Sequence, residues 1–155
     1  MLFRSIGAQA VNFESDDRLQ IDQNRLSGIN NEDDFAEWMK AFFNAPLYGK
    51  LYNHPSFQDK KNRIQFSKIN RYQHFFDYLS VTRQPTLLPN ELKKLKNIFY
   101  LYGEYDEKYR GIGMKLKNMV SGLQTFSIPL SHHAAHIENP EGVQRILKEI
   151  FSEPL

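Results

Sequence analysis

The chain has 155 residues, of which 41% are hydrophobic and 14% aromatic, so it is long enough for one packed domain and too short for two ordinary ones. Its 20 basic and 18 acidic residues are interspersed and give a formal net charge of +2, so the sequence offers no electrostatic reason to expect nucleic acid or an anionic membrane as a partner. The absence of cysteine excludes disulfides, thiolate metal sites and a cysteine nucleophile, and the apolar runs are too short to span a membrane, so we expect a cytoplasmic protein.

The N-terminal half of the sequence is predicted to be mainly helical. Residues 2–6 form a predicted short strand, and residues 15–28 a short helix with acidic residues in its first turn and a glycine at its end. Aromatic residues at helical spacing predict a second helix within residues 32–46, which ends before Pro46, and a third over residues 66–83. Aromatic stripes of this kind are more often core than binding surface.

The C-terminal part has a different pattern, in which strands and helices alternate. Residues 97–103, NIFYLYG, are continuously apolar or aromatic, which predicts a strand covered on both faces. A helix is predicted over residues 109–120, a second strand over residues 123–128, and a last helix over residues 139–151 that is capped by Asn139. This alternation predicts a βαβα unit with two parallel neighbouring strands.

Two residues with catalytic chemistry follow the ends of the two predicted strands. Asp106 lies in the turn after the first strand, and His133 lies in the loop after the second. Because the carboxyl ends of parallel neighbours meet at one edge of a sheet, we expect these side chains to come together there. A carboxylate in that position orients the imidazole and stabilises its charged form, while the imidazole carries a proton for a third group.

Two other interpretations of these segments stay open. The GEYD turn before Asp106 is also common turn chemistry, since glycine and aspartate are both favoured in turns for backbone reasons. The HHAAH segment places His132 or His133 three or four residues before His136, which is a spacing found in metal sites. No cysteine or carboxylate cluster joins these histidines, so the sequence predicts no metal.

The same segments resemble a known enzyme family. YLYGEYDEKY and HHAAHIENPEGVQRILKEIF resemble the C-terminal part of the 2-succinyl-6-hydroxy-2,4-cyclohexadiene-1-carboxylate synthases, α/β-hydrolase-fold enzymes of menaquinone biosynthesis. The family pattern, Gly-Glu-x-Asp-x-Lys-Phe and then Gly-His-x-x-His-x-Glu-Asn-Pro, matches at Gly103, Glu104, Asp106, Lys108, His133, His136, Glu138, Asn139 and Pro140. The chain departs at Tyr109, where Phe is usual, and at His132, where Gly is usual. The second departure places a bulky side chain beside His133.

The resemblance implies an α/β protein that forms the C-terminal portion of an α/β-hydrolase fold, with a helical cap followed by a βαβα unit with parallel strands. Residues 1–13 would form a strand and the lead-in to the cap, residues 14–96 the helical cap, and residues 97–155 the C-terminal core segment. The closing segment of the cap matches at Gln84, Pro85, Leu88 and Pro89.

The resemblance also implies which residues form the site. Asp106 and His133 would be catalytic, and the substrate-binding residues would be Arg18, Arg63, Phe42 and Phe43. Phe42 and Phe43 stand where the family has a Trp-Tyr pair, so stacking is retained and a phenolic hydrogen bond is lost. A planar guanidinium pairs bidentately with a carboxylate, although without the resemblance both arginines would be interpreted as solvated surface residues.

The implied reaction eliminates pyruvate from 2-succinyl-5-enolpyruvyl-6-hydroxy-3-cyclohexene-1-carboxylate, with His133 accepting a proton through a serine and with no metal or organic cofactor. The sequence contains no Gly-x-Ser-x-Gly segment to present that serine, and Ser5 is a poor substitute because Phe3 replaces the first glycine. We therefore expect the chain alone to be inactive. Because an apolar sheet edge would otherwise be unpaired, we also expect the chain to associate with a second copy or with a separate N-terminal half, or else to exist only as a fragment of a split reading frame.

Two alternative functions remain at this stage. A general α/β-hydrolase acting on an ester or thioester would use the same Asp106 and His133 but would have no need of the arginines. A non-catalytic interaction module would instead bind a partner through the aromatic face of residues 35–43.

Overall fold

The computed structural model describes residues 17–79 and 97–152, together with Arg83 and Lys94. The predicted strand at residues 2–6 and the matched cap segment at residues 84–89 lie outside the described residues, as does the predicted beginning of the first helix.

The described part of the N-terminal half is helical, as predicted. Its α-helices are α1 (Arg18–Gln23), α2 (Glu32–Phe43), α3 (Gln58–Lys61) and α4 (Ile69–Leu79), with short 3₁₀ turns at Leu51–Asn53, Pro55–Phe57 and Phe66–Lys68. Helix α1 ends earlier than predicted, and turns lead from it to Gly28, where φ is +83°. Helix α2 begins after Asn31, whose side chain accepts a hydrogen bond of 2.9 Å from the backbone N–H of Asp34.

Helices α2 and α4 hold each other through aromatic rings. The Phe35 ring stacks on Tyr72 with 6.0 Å between ring centroids, and Trp38 meets Phe76 edge-on at 6.3 Å. Trp38 also stacks on Phe42 at 5.1 Å. The aromatic stripe of α2 therefore packs inside the helical layer. This packing favours its interpretation as part of the core rather than as the partner-binding surface that the sequence left open.

The C-terminal part contains the predicted βαβα unit. Strand β1 (Phe99–Gly103) is followed by α5 (Glu107–Met119), β2 (Gln124–Ile128), the short α6 (Ala135–Glu138) and α7 (Pro140–Ser152). The strands are parallel and in register from the pair Phe99 and Gln124 to the pair Gly103 and Ile128, which confirms the predicted pairing. Helix α7 begins at Pro140, and the Asn139 side chain caps it by accepting a 2.8 Å hydrogen bond from the Gly142 N–H.

Both faces of the two-stranded sheet are covered by a helix, as the apolar run at residues 97–103 predicted. On one face Tyr100 packs with residues of α5 and the turn after it, namely Ile112, Leu116, Val120 and Leu123. On the other face Phe99, Leu101, Phe126 and Ile128 pack with Ala135, Val143, Ile146 and Ile150. Burial of these side chains is the main source of stability for this unit.

A third apolar cluster joins the helical layer to the loop after β2. Leu51 and Phe57 from the 3₁₀ turns pack against Ala134, and Ile137 covers the same cluster. Leu51 is 1% exposed and Phe57 is 3% exposed, so this contact excludes water. The cluster fixes the helical layer beside the residues that follow β2.

Among the described residues, no helix is long and apolar enough to cross a bilayer.

Two glycines of α5 give a matched stability test of the packing against β1. A Cβ on Gly113 would lie 2.7 Å from Cε1 of Tyr100, whereas a Cβ on Gly111 would meet nothing within 4 Å. We expect Gly113→Ala to lower the free energy of unfolding by about 1–3 kcal/mol through overpacking, and Gly111→Ala to raise it by about 0.5–1 kcal/mol through helix propensity. Urea denaturation measures both, and equal effects of the two changes would contradict the described packing.

Candidate active site

The loops after β1 and β2 run side by side and are joined by backbone hydrogen bonds. The N–H of Glu104 donates to the carbonyl of Ile128, and the N–H of Tyr105 donates to the carbonyl of Ser131, both at 2.9 Å. A Cβ on Gly103 would overlap the carbonyl oxygens of Ser131 and His132, so only glycine allows this approach. The loops are thereby held at one edge of the sheet, at the carboxyl ends of the parallel strands.

Asp106 and His133 meet at that edge, as the sequence predicted. Nδ1 of His133 lies 2.9 Å from Oδ2 of Asp106, and the Asp106 side chain is only 2% exposed. The other carboxylate oxygen, Oδ1, accepts a 3.0 Å hydrogen bond from the N–H of Tyr109 and so caps α5. Because a carboxylate only accepts hydrogen bonds, Nδ1 of His133 carries the proton, and Nε2 of the neutral ring is left able to accept one.

Aromatic rings and one backbone contact fix the His133 side chain. The Tyr109 ring lies 4.3 Å from the imidazole between centroids, and the Tyr48 ring approaches it at 5.7 Å in a T-shaped arrangement. The backbone N–H of His133 donates to the carbonyl of Leu47 at 3.2 Å, which joins this loop to the helical layer. The side chain remains 31% exposed, so the imidazole is accessible to a reacting group.

His132 forms a second histidine–carboxylate pair beside the first. Its Nδ1 lies 3.0 Å from Oε1 of Glu138, and its backbone N–H donates to Oε2 of the same residue at 2.8 Å. Its ring occupies the space next to Gly49, whose φ is +61°. The bulky side chain that replaces the usual glycine of the family pattern is therefore accommodated by a glycine in the helical layer.

The pKa of His136 is lowered from 6.5, chiefly because packing around its ring disfavours the charged form. The charges of Lys60 and His133 act in the same direction, and the carboxylate of Glu138 acts against them. Across the described ranges, no group of three or more histidine, aspartate or glutamate side chains is arranged to hold a metal ion.

Two arginines of the helical layer share one buried carboxylate. Nε of Arg18 lies 3.0 Å from both oxygens of Asp22, and Nη2 of Arg25 lies 2.7 Å from Oδ1. The guanidinium of Arg25 also lies over the Phe42 and Phe76 rings, 5.3 Å and 5.2 Å from their centroids. Sequence reasoning selected Arg18 and missed Arg25, although Arg25 follows Asp22 by three residues and so lies near it on a helix-like turn.

The other predicted substrate-binding residues are placed differently from one another. Phe42 lies among the rings that face Arg25, whereas Phe43 packs on Phe57 at 4.6 Å inside the apolar cluster. Arg63 is exposed in the turn after α3, and no contact among the described residues joins it to Arg18 or His133. Its predicted role in binding substrate stays a prediction.

Tyr48 connects the arginines with the Asp106–His133 pair. Its ring lies 5.3 Å from Phe42 on one side and 5.7 Å from His133 on the other. Burial raises the pKa of Tyr48, the nearby charges of Arg25 and Arg18 lower it, and Asp106 raises it. Sequence reasoning did not select Tyr48, and the signal that could have found it is its place two residues after Pro46, in the segment that begins with Phe42 and Phe43.

These features define a class of protein. A parallel strand pair with a carboxylate and an imidazole past its carboxyl ends, beneath a helical layer, is a portion of an α/β-hydrolase fold. A solved structure of MenH from S. aureus has the same fold, with a TM-score of 0.69 and 20% identity over 88% of this chain and 52% of that chain.

Sequence comparison identifies particular relatives. The chain is 27% identical over 142 residues to 2-succinyl-6-hydroxy-2,4-cyclohexadiene-1-carboxylate synthase of Escherichia coli K12, covering 80% of this chain and 54% of that protein. It is 26% identical over 124 residues to Protein PHYLLO, chloroplastic, of Arabidopsis thaliana, covering 74% of this chain and 7% of that protein. No protein-family model matches the chain. The chain thus resembles the C-terminal part of the synthase and spans about half the length of the synthases it matches.

The contact between Gly49 and His132 gives a second stability test. An alanine at Gly49 would have an unfavourable positive φ and would also clash with the His132 ring, whereas Gly28 has φ of +83° and nothing within 4 Å of a Cβ. We expect Gly28→Ala to lower the free energy of unfolding by about 1–2 kcal/mol through backbone strain alone, and Gly49→Ala to lower it by more. In a His132→Ala background the excess cost should disappear, as thermal or urea unfolding of the double-mutant cycle would show. If Gly49→Ala were as destabilising in the His132→Ala background as in the wild type, the described contact between the His132 ring and Gly49 would be wrong.

Proposed function

We propose that this chain supplies the proton-handling pair and the carboxylate-binding residues of an α/β-hydrolase-fold lyase similar to 2-succinyl-6-hydroxy-2,4-cyclohexadiene-1-carboxylate synthase. The observation that carries the proposal is the 2.9 Å contact between His133 and the buried carboxylate of Asp106. The similarity to the synthases supports the choice of reaction class.

In this proposal His133 is a base that works through a hydroxyl. Asp106 holds Nδ1 of His133 and stabilises the imidazolium that forms when Nε2 accepts a proton. In this proposal the hydroxyl is that of a serine of an N-terminal segment or of a partner chain. A proton is lost from a ring carbon to this base, a ring C=C bond forms, and the bond between the ring and the ether oxygen breaks with its electron pair on oxygen. The enolpyruvate that leaves then takes up a proton on carbon and becomes pyruvate.

The helical layer supplies the groups that bind an anionic substrate. The proposed substrate, 2-succinyl-5-enolpyruvyl-6-hydroxy-3-cyclohexene-1-carboxylate, carries carboxylates on its ring and on its side chains. Arg18 presents a guanidinium near Tyr48, and guanidinium groups bind carboxylates through paired hydrogen bonds. A general ester or thioester hydrolase would use Asp106 and His133 in the same way but would not require these arginines. The elimination needs a base and anion-binding groups, and we assign it no metal or organic cofactor.

A pyruvate-release assay tests the proposal. We expect no release by the chain alone, and release when it is mixed with the N-terminal segment of the Escherichia coli synthase that precedes the matched region. In the mixture, His133→Ala should lower the rate by about 10²- to 10⁴-fold, because it removes the general base. The matched control is His74→Gln, which should leave the rate unchanged. His74 is an exposed histidine of α4 whose ring lies 5.8 Å from that of Tyr78.

Three outcomes would contradict the proposal. Pyruvate release by the chain alone would show that it contains its own hydroxyl. Pyruvate release at an unchanged rate in His133→Ala would show that His133 is not the base. Hydrolysis of a simple ester by the mixture without any pyruvate release would favour the hydrolase instead.

A further inference from the structure

Asp22 is a buried carboxylate that holds two guanidinium groups. Its side chain is 4% exposed, and a buried carboxylate needs a cationic partner to offset the loss of its hydration. Here Arg18 already spans both carboxylate oxygens at 3.0 Å, and Arg25 adds contacts of 3.3 Å and 2.7 Å to Oδ1. Two cations brought together on one carboxylate repel each other, so a second anion at this place would lower their mutual repulsion.

Arg25 is held in a fixed orientation that leaves donors for another partner. Its Nε and Nη2 face Asp22, while the planar group lies over Phe42 and Phe76 at 5.3 Å and 5.2 Å. A guanidinium has five N–H donors, so Nη1 lies outside this pairing with Asp22. The side chain is 20% exposed, which allows an anion to reach it. A group held in this way loses little rotational freedom when it binds a ligand.

The arginine pair is linked to the proposed proton-handling residues through two aromatic rings. Consecutive contacts lead from Arg25 to Phe42 at 5.3 Å, from Phe42 to Tyr48 at 5.3 Å, and from Tyr48 to His133 at 5.7 Å. The charges of Arg25 and Arg18 also lower the pKa of Tyr48, Arg25 having the larger effect, against the increase caused by burial. An anion bound at this pair would therefore be connected to His133 through the Phe42 and Tyr48 rings.

We propose that Arg25 is a further, specificity-determining residue for a carboxylate of the substrate, which it binds from its position beside Arg18 on the shared Asp22 carboxylate. Arg25 lies outside the Arg-x-x-x-Asp pattern formed by Arg18 and Asp22. The inference rests on the proposed function, because it places a carboxylate-bearing substrate at His133. The competing explanation is that Arg25 only neutralises Asp22, in which case a free carboxylate would not distinguish wild type from an Arg25 variant.

Succinate is a suitable probe because the proposed substrate carries a succinyl group. The full chain labelled with ¹⁵N is titrated with succinate, and the signals of the Arg25 side chain and the Tyr48 amide are followed by NMR. We expect succinate to bind to the wild type and neutral succinamide not to perturb these signals. Arg25→Gln should weaken succinate binding about tenfold or more, as expected for loss of a charge-assisted bond. The matched control, Arg71→Gln, changes an exposed arginine of α4 and should leave the affinity unchanged.

A conservative variant keeps the test decisive if Arg25→Gln fails to fold. Arg25→Lys retains the charge beside Asp22 but lacks the planar fork, and we expect succinate to bind it severalfold more weakly than wild type. The proposed role of Arg25 is overturned if succinate leaves the Arg25 and Tyr48 signals unperturbed in wild type, or if the folded Arg25 variants bind succinate as wild type does. If succinate binding depends on Arg25 but the mixture releases no pyruvate, the proposed lyase function is wrong and the role of Arg25 is retained. If the mixture releases pyruvate but succinate binding does not depend on Arg25, the role of Arg25 is wrong and the lyase function is retained.

Discussion

The hydrogen bond between Asp106 and His133 is the interaction on which the rest of the site depends. It is possible because β1 and β2 are parallel and in register, so that the loops leaving them lie side by side. Gly103 lets those loops touch, and Asp106 is fixed on its other side as the cap of α5. The carboxylate is thus buried and satisfied on both oxygens, and this limits the imidazole to one tautomer.

The helical layer is connected both to the loop that carries His133 and to the arginines. The turn that carries Tyr48 is tied to the His133 loop by the bond to the Leu47 carbonyl and by the seating of His132 on Gly49. Tyr48 in turn meets the ring stack on which Arg25 lies. The proposed proton-handling pair and the proposed anion-binding arginines therefore belong to one connected structure, which is the arrangement that the proposed elimination requires.

The sequence predicted the parts of this structure that follow from local pattern and from topology. The buried run at residues 97–103, the cap at Asn139 and the meeting of Asp106 with His133 all depend on strand order and helix signals that the chain displays. The spacing of Arg25 from Asp22 is a local signal, but its contacts with rings on α2 and α4 could not be predicted because no local pattern brings those rings together. The accommodation of His132 likewise depends on Gly49, far away in sequence, and the choice of Arg63 depended on a motif alone.

The most direct measurement of the central claim is the tautomer of His133, read from the ¹⁵N shifts of its ring nitrogens by NMR at alkaline pH, where imidazoles are neutral. The account predicts that Nδ1 carries the proton and Nε2 does not, because the carboxylate of Asp106 accepts at Nδ1. In Asp106→Asn this preference should be lost, since an amide can donate as well as accept. A ring protonated at Nε2 in the wild type, or an unchanged tautomer in Asp106→Asn, would contradict the account.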